Sequence, residues 1–304
     1  MKKYSFRIFA VLSVLLFAFS AHAQQIVLAS GIKDGTYFRM VKQMAETCGT
    51  GGLVANKEQP GGSPSTITDI LNNNVAGGIV QFDVLWMRSN NQDLTSIKTL
   101  FPMHREQVHI VVQNKDLKSG GFMGIGGDKI VLNDDRNLKG LTVAAPGGSA
   151  YTAQAINQLT GTGFNIRTEY ADTNAAVEAV RKGDVAATIL VGGAPIKAVQ
   201  ALGRDLRLLP ISPASVEKLK GVYGQRTVVY ENLGTAGVPT VEVDSLLVVN
   251  NYRSAKMKSS LTAFRECMKT AVEDIAETPN THPAWRDAAK QFNVKPRWDL
   301  YDPK

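Results

Sequence analysis

The chain has 304 residues, with 34 basic and 27 acidic side chains, a formal net charge of +7 and 44% hydrophobic residues. That length holds one large domain or two smaller ones. No basic cluster is interleaved with aromatic residues, which excludes nucleic acid as an expected partner, and two cysteines form no paired metal motif.

Met1, Lys2, Lys3 and Arg7 form a positive start to an apolar run over residues 8–19, and Ala21-His22-Ala23 is a small-x-small cleavage site. The pattern predicts a secretory signal peptide over residues 1–23, too short to span a bilayer. Its removal takes away Lys2, Lys3 and Arg7, so the mature chain is only modestly basic. No cysteine starts the mature chain, so no lipid anchor is expected, and later apolar runs are too short for membrane spans. The expected location is a bacterial periplasm. There an even pair of cysteines, Cys48 and Cys267, is a disulfide candidate, the alternative being two buried free thiols.

Strand and helix patterns then alternate. Residues 26–29 read as a strand, followed by a glycine loop and a helix over 36–48. Residues 54–58 are a second strand, with a Pro60-Gly61-Gly62-Ser63-Pro64 turn and a helix over 65–72. Further strands are expected over 78–81 and 108–112. Repeated βα units with glycine turns at the strand ends predict a parallel sheet covered by helices, with ligands beyond the carboxyl ends of the strands. Residues 114–137 break the pattern and read as a hairpin or loop. Gly124-Ile125-Gly126-Gly127 is not a nucleotide fingerprint, because no strand leads into it and no helix follows.

Lys139 to Thr152 restarts the alternation: a short strand, Pro146-Gly147-Gly148, then a helix opening at Ser149, a preferred N-cap type. The glycines allow close approach of a ligand, and the first helical N–H groups favour an anion; an ordinary capped connection is the plainer reading. A helix over 173–182, strands over 187–191 and 206–209, a returning segment over 241–249 and a C-terminal helix over 261–277 complete the chain. Residues 71–81 and 180–190 look alike. Both read as helix end, polar turn and buried strand, which suggests two similar lobes.

With these residues in place, the chain resembles the TAXI-type solute-binding receptors of tripartite (TRAP) transporters, within the bilobed type II periplasmic binding proteins. The matching motifs are Gly35-Thr36-Tyr37-Phe38, Gly61-Gly62-Ser63, Gly78-Ile79-Val80-Gln81-Phe82-Asp83, Pro146-Gly147-Gly148-Ser149, and Gly183-Asp184-Val185-Ala186-Ala187 running into Val191-Gly192-Gly193-Ala194-Pro195. They cover residues 26–210. The resemblance implies an α/β fold of two similar lobes with a ligand cleft between them. Residues 24–112 plus 245–304 would form lobe I and residues 113–244 lobe II.

The resemblance also implies a ligand set of Thr36, Tyr37, Gly62, Ser63, Gln81, Asp83, Gly148, Ser149 and Gly193. Tyr37 would be an aromatic wall, and Asp83 a receptor for an ammonium group. Gly148 and Ser149 would hold a carboxylate from the second lobe. The ligand would be a small anion, glutamate-like or dicarboxylate-like, the partners TRAP-type membrane subunits, the protein a monomer and the cofactor none. A receptor presenting its ligand to a membrane sensor is the alternative, and a periplasmic enzyme a third. Against catalysis, there is no Gly-x-Ser-x-Gly elbow. His104 and His109, five apart, lack zinc-protease spacing and would point to opposite faces of a strand.

Overall fold

A computed structural model describes residues 24–33, 35–118, 129–234 and 236–303. The signal-peptide reading and the Gly124-Ile125-Gly126-Gly127 motif lie outside these residues. Among the described residues no helix is long and apolar enough to cross a membrane.

One ten-stranded sheet runs through the molecule. Three strands, β1 (Ile26–Ala29), β2 (Val54–Lys57) and β3 (Gly77–Gln81), are parallel, with β1 in the middle. Two long strands follow across the sheet, β4 (Ile97–Gln113) and, far later in the chain, β12 (Val238–Asn250). β12 lies between β3 and β4 and is antiparallel to both. The other end of β4 pairs with β9 (Ala187–Gly192) on one edge and β10 (Leu206–Leu209) on the other. β9 is antiparallel to β4 but parallel to β7 (Thr142–Ala144), which is parallel to β8 (Asn165–Arg167). β11 (Gly224–Val228) pairs with the start of β12. β5 (Leu117–Lys118) and β6 (Lys129–Ile130) form a separate antiparallel pair within the expected irregular segment.

The architecture is therefore two parallel βα halves, joined by β4 and β12. Both long strands are buried almost throughout, which accounts for their apolar, β-branched ends. The expected strand over 108–112 is too short by eleven residues at its start. The block His104-Arg105-Glu106-Gln107 hides the strand signal, yet its members are hydrogen-bonded within the sheet and its flanks.

The likeness of residues 71–81 and 180–190 is structural. Helix α2 (Gly62–Leu71) closes with Asn73 at φ 57°, Asn73 N–H on Ile70 O and Asn74 N–H on Asp69 O. Helix α5 (Thr173–Lys182) closes with Gly183 at φ 84°, Gly183 N–H on Val180 O and Asp184 N–H on Ala179 O. Each is a left-handed C-terminal closure leading into the strand beside the crossover.

Helices α1 (Thr36–Cys48), α8 (Ala255–Glu277) and α9 (Trp285–Gln291) pack on one face of the first half, around Met40, Met44, Phe101, Phe264, Met268 and Trp285. Cys48 and Cys267 are joined in a disulfide that fastens α1 to α8, with Cα atoms 5.9 Å apart. A second core runs from one half to the other through α3 (Phe82–Ser89) and α4 (Ser149–Thr160) and includes Leu85, Ala153 and Ile156. Ser149 is the first residue of α4 and not its cap; Gly148 precedes it, with no side-chain cap bond.

Candidate functional site

Parallel strands β1, β2 and β3 end on the same side, so the helix starts that follow them converge. Thr36 opens α1 and Gly62 opens α2, the latter at φ 62°, a backbone that suits glycine. Ser63 is buried, and its Oγ accepts the Gln81 N–H at 3.1 Å. Tyr37 Oη and Gln81 Nε2 both donate to Glu106 Oε2, at 2.9 and 2.8 Å. Glu106 comes from the crossover strand β4 and is buried.

Two turns of the second half come up to this cluster. A Cβ on Gly148 would lie 2.9 Å from Gln81 Oε1, so glycine lets the turn sit over that amide without displacing it. A Cβ on Gly193 would lie 3.3 Å from His104 Nε2 and 3.8 Å from Ala284 Cβ. Gln107 fixes the Gly193 loop by accepting the Ala194 N–H at 2.8 Å.

His104 is buried beside Glu106, with Nε2 3.3 Å from Glu106 Oε1 but without hydrogen-bond geometry. Ser245 Oγ donates to the His104 carbonyl at 2.6 Å, so at its 3.0 Å contact with Nδ1 it accepts from that nitrogen. Among the described residues no Lys or Arg lies within ion-pair reach of Glu106. Burial, with the Glu106 charge second, pushes the Tyr37 phenol well above its ordinary range. Tyr37 is a hydrogen-bond donor here and not a base.

Asp83 is fully enclosed. Its Oδ2 accepts from Thr152 Oγ1 at 2.5 Å and Tyr223 Oη at 2.8 Å, tying α3 to α4 and the strand after Tyr223. Burial raises its pKa to about 6, opposed by those two bonds and assisted by Glu106. At the start of α4 the N–H groups of Ser149, Ala150 and Tyr151 turn back onto Pro146, Gly147 and Gly148 carbonyls. A groove of about 590 Å³ opens between α2, α3 and α4, lined among others by Pro64, Thr68, Arg88 and Tyr151, but none of the nine expected residues lines it. Its arginine is already bonded to Pro64 O, Thr68 and Gln92.

Of the expected residues, Tyr37, Ser63, Gln81, Gly148 and Gly193 thus gather around Glu106 and His104. Thr36 and Gly62 sit in the adjoining helix starts, Ser149 begins α4, and Asp83 faces Thr152 and Tyr223. Glu106 and His104 escaped the sequence reading. The available signal was a run of four polar residues between the apolar blocks Leu100-Phe101 and Val108 to Val112. No group of three or more His, Cys, Asp or Glu side chains arranged for a metal occurs among the described residues.

No family model matches the sequence, and no curated protein matches it. Solved structures do. An ancestral arginine-binding protein bound to arginine aligns with a TM-score of 0.50 and 12% identity over 90% of this chain and 100% of that one. Protein Tv2483 bound to L-arginine gives 0.51 and 11%, over 90% and 95%. Protein AF1704 from Archaeoglobus fulgidus gives 0.51 and 13%, over 90% of each. At such identities the likeness is one of fold, and the fold is that of the type II periplasmic binding proteins.

Proposed function

We propose that the chain is a periplasmic solute-binding receptor. It holds a small carboxylate, an amino acid or organic acid, between a lobe of residues 24–112 plus 245–304 and a lobe of residues 113–244, and delivers it to TRAP-type membrane subunits. The export signal read at residues 1–23 and the motif order from Gly35 to Pro195 support that partner and location. The protein does no chemistry on its ligand in this reading. A hinge of this kind responds to a solute only if the solute touches both lobes, because it must favour the closed arrangement.

The observation that carries the proposal is Glu106. It is a buried carboxylate with no Lys or Arg partner among the described residues, set where turns of the second half meet helix starts of the first. A buried charge of that kind calls for a compensating one, and a ligand ammonium supplies it. Glu106 therefore favours an amino acid over a dicarboxylate, and it takes the ammonium role first assigned to Asp83. Tyr37 and Gln81 position the carboxylate, while Gly148 and Gly193 close over it.

Calorimetry with L-glutamate, L-arginine and 2-oxoglutarate tests this. An L-amino acid is expected to bind wild type and to lose about tenfold or more in the Glu106→Gln variant, with 2-oxoglutarate weaker than its amino counterpart. Equal affinity of a folded Glu106→Gln variant for the amino acid would remove Glu106 from the site. A wild-type protein that binds none of the amino or organic acids would end the receptor reading.

A further inference from the structure

A receptor must also exist without its solute, and a buried carboxylate then needs another counter-charge. Glu106 Oε2 takes the Tyr37 and Gln81 donors, both neutral, and no Lys or Arg reaches the carboxylate among the described residues. The base beside it is His104, buried, with Nε2 3.3 Å from Glu106 Oε1. Nδ1 of this ring donates to Ser245 Oγ, because that hydroxyl gives its own proton to the His104 carbonyl. Nε2 is therefore the atom at which the ring gains or loses charge. It is at ion-pair distance from Glu106 but makes no hydrogen bond.

The other groups around the ring offer no substitute. His104 and Glu106 share one side of β4, while Arg105 and Gln107 both turn to Glu242, where the Arg105 guanidinium is also within reach of Asp287. Facing His104 are Tyr37 from α1, edge-on with ring centroids 6.0 Å apart, and His282 from the segment ahead of α9. Burial above all pushes the Tyr37 phenol up and holds His282 down to about 4, so both are neutral at neutral pH. β12 contributes Ser245, which does not titrate. The second half contributes Gly193, whose bare backbone faces the Nε2 edge of the ring.

We propose that His104 and Glu106 form an exchange pair, in which an imidazolium proton on His104 Nε2 balances Glu106 until the solute's ammonium displaces it. The exchange rests on the receptor reading above and adds a proton to it. The Nε2–H bond breaks, its proton passes to solvent, and the freed lone pair accepts from the ammonium. One positive charge enters as one leaves, since both together beside a single carboxylate would leave a buried cation unpaired. One proton is released per amino acid bound, so affinity for the amino acid rises with pH. The rise is up to about tenfold per pH unit wherever His104 is charged in the free protein. A dicarboxylate without an amino group leaves the proton in place.

Two measurements on the full mature chain test the exchange. In the first, the His104 ring nitrogens, assigned with a His104→Asn variant, are followed by NMR at pH ~6. Imidazolium shifts are expected without solute, and those of a neutral ring at saturating L-amino acid. A ring already neutral without solute, or one still charged at saturation, overturns the exchange. In the second, calorimetry at the same pH with L-glutamate, L-arginine and 2-oxoglutarate is run in phosphate and in Bis-Tris, whose different ionisation enthalpies count the protons released. About one proton per bound amino acid is expected, and none for 2-oxoglutarate. Asp83, whose raised pKa of about 6 owes part of its shift to Glu106, is unchanged in a folded His104→Asn variant, so the release lost there belongs to His104. Amino-acid binding without proton release, or with the same release in His104→Asn, overturns the exchange and leaves the receptor reading intact. A protein that binds none of the three ends both.

Discussion

Asp83 shows how a residue's surroundings can reverse what its charge does for stability. It is enclosed between Thr152, Tyr223 and the core, and burial raises its pKa to about 6 from an ordinary carboxylate value. The folded protein then binds this proton more tightly than the unfolded chain does. The resulting stability is present below the unfolded value near ~4 and is lost as pH rises through about 6. Asp83→Asn is expected to raise stability at neutral pH by ~2 kcal/mol, with the gain vanishing toward pH ~4. His109 and His282 act with the opposite sign. Both are held down to about 4, chiefly by burial, so their contribution is present above ~6.5 and lost as pH falls through about 4. The diagnostic quantity is therefore the difference between wild type and Asp83→Asn in urea melts across that range. A pH-independent difference would show that Asp83 is charged to the same extent folded and unfolded. The sequence made Asp83 visible as an acid at a strand end, but not its enclosure, which needs α4 and Tyr223 from far along the chain.

Among the elements, β3 is the clearest case of residues chosen by neighbours. It is inserted between β1 and β12, and a Cβ on Gly77 would lie 2.3 Å from the Val248 carbonyl oxygen and 2.7 Å from Val249 Cγ1. The first of these is backbone and cannot swing away. Gly77→Ala is expected to cost ~3 kcal/mol through displacement of β12, read as a lowered urea midpoint with an unchanged slope. A variant as stable as wild type would mean that β12 yields without loss. Helices α1 and α5 and strands β1 and β10 were legible to the residue, because apolar spacing and glycine stops coincide there. The first eleven residues of β4 were not, since a polar block in mid-strand looks like a break until its partners are known.

For the molecule as a whole, the disulfide joins the first helix to the last long one, with 219 positions between its cysteines. Closing so large a loop in the unfolded chain is worth about 5 kcal/mol in the chain-entropy account. Reduction is expected to lower the melting temperature by roughly 10 °C. An unchanged midpoint, with both thiols shown to be free by labelling, would refute the bond's contribution. Composition, cysteine number, the alternation of strand with helix and the repeated helix-turn-strand unit are local properties. They specified an α/β fold of two similar halves, because hydrophobic period and turn chemistry act within a few residues. The meeting of Tyr37, Gln81 and Glu106 and the enclosure of Asp83 were decided only by tertiary structure. These groups are separated by up to 140 positions, from Asp83 to Tyr223, and what joins them is the crossing of β4 and β12. No periodicity in the chain records which side chains that crossing brings together.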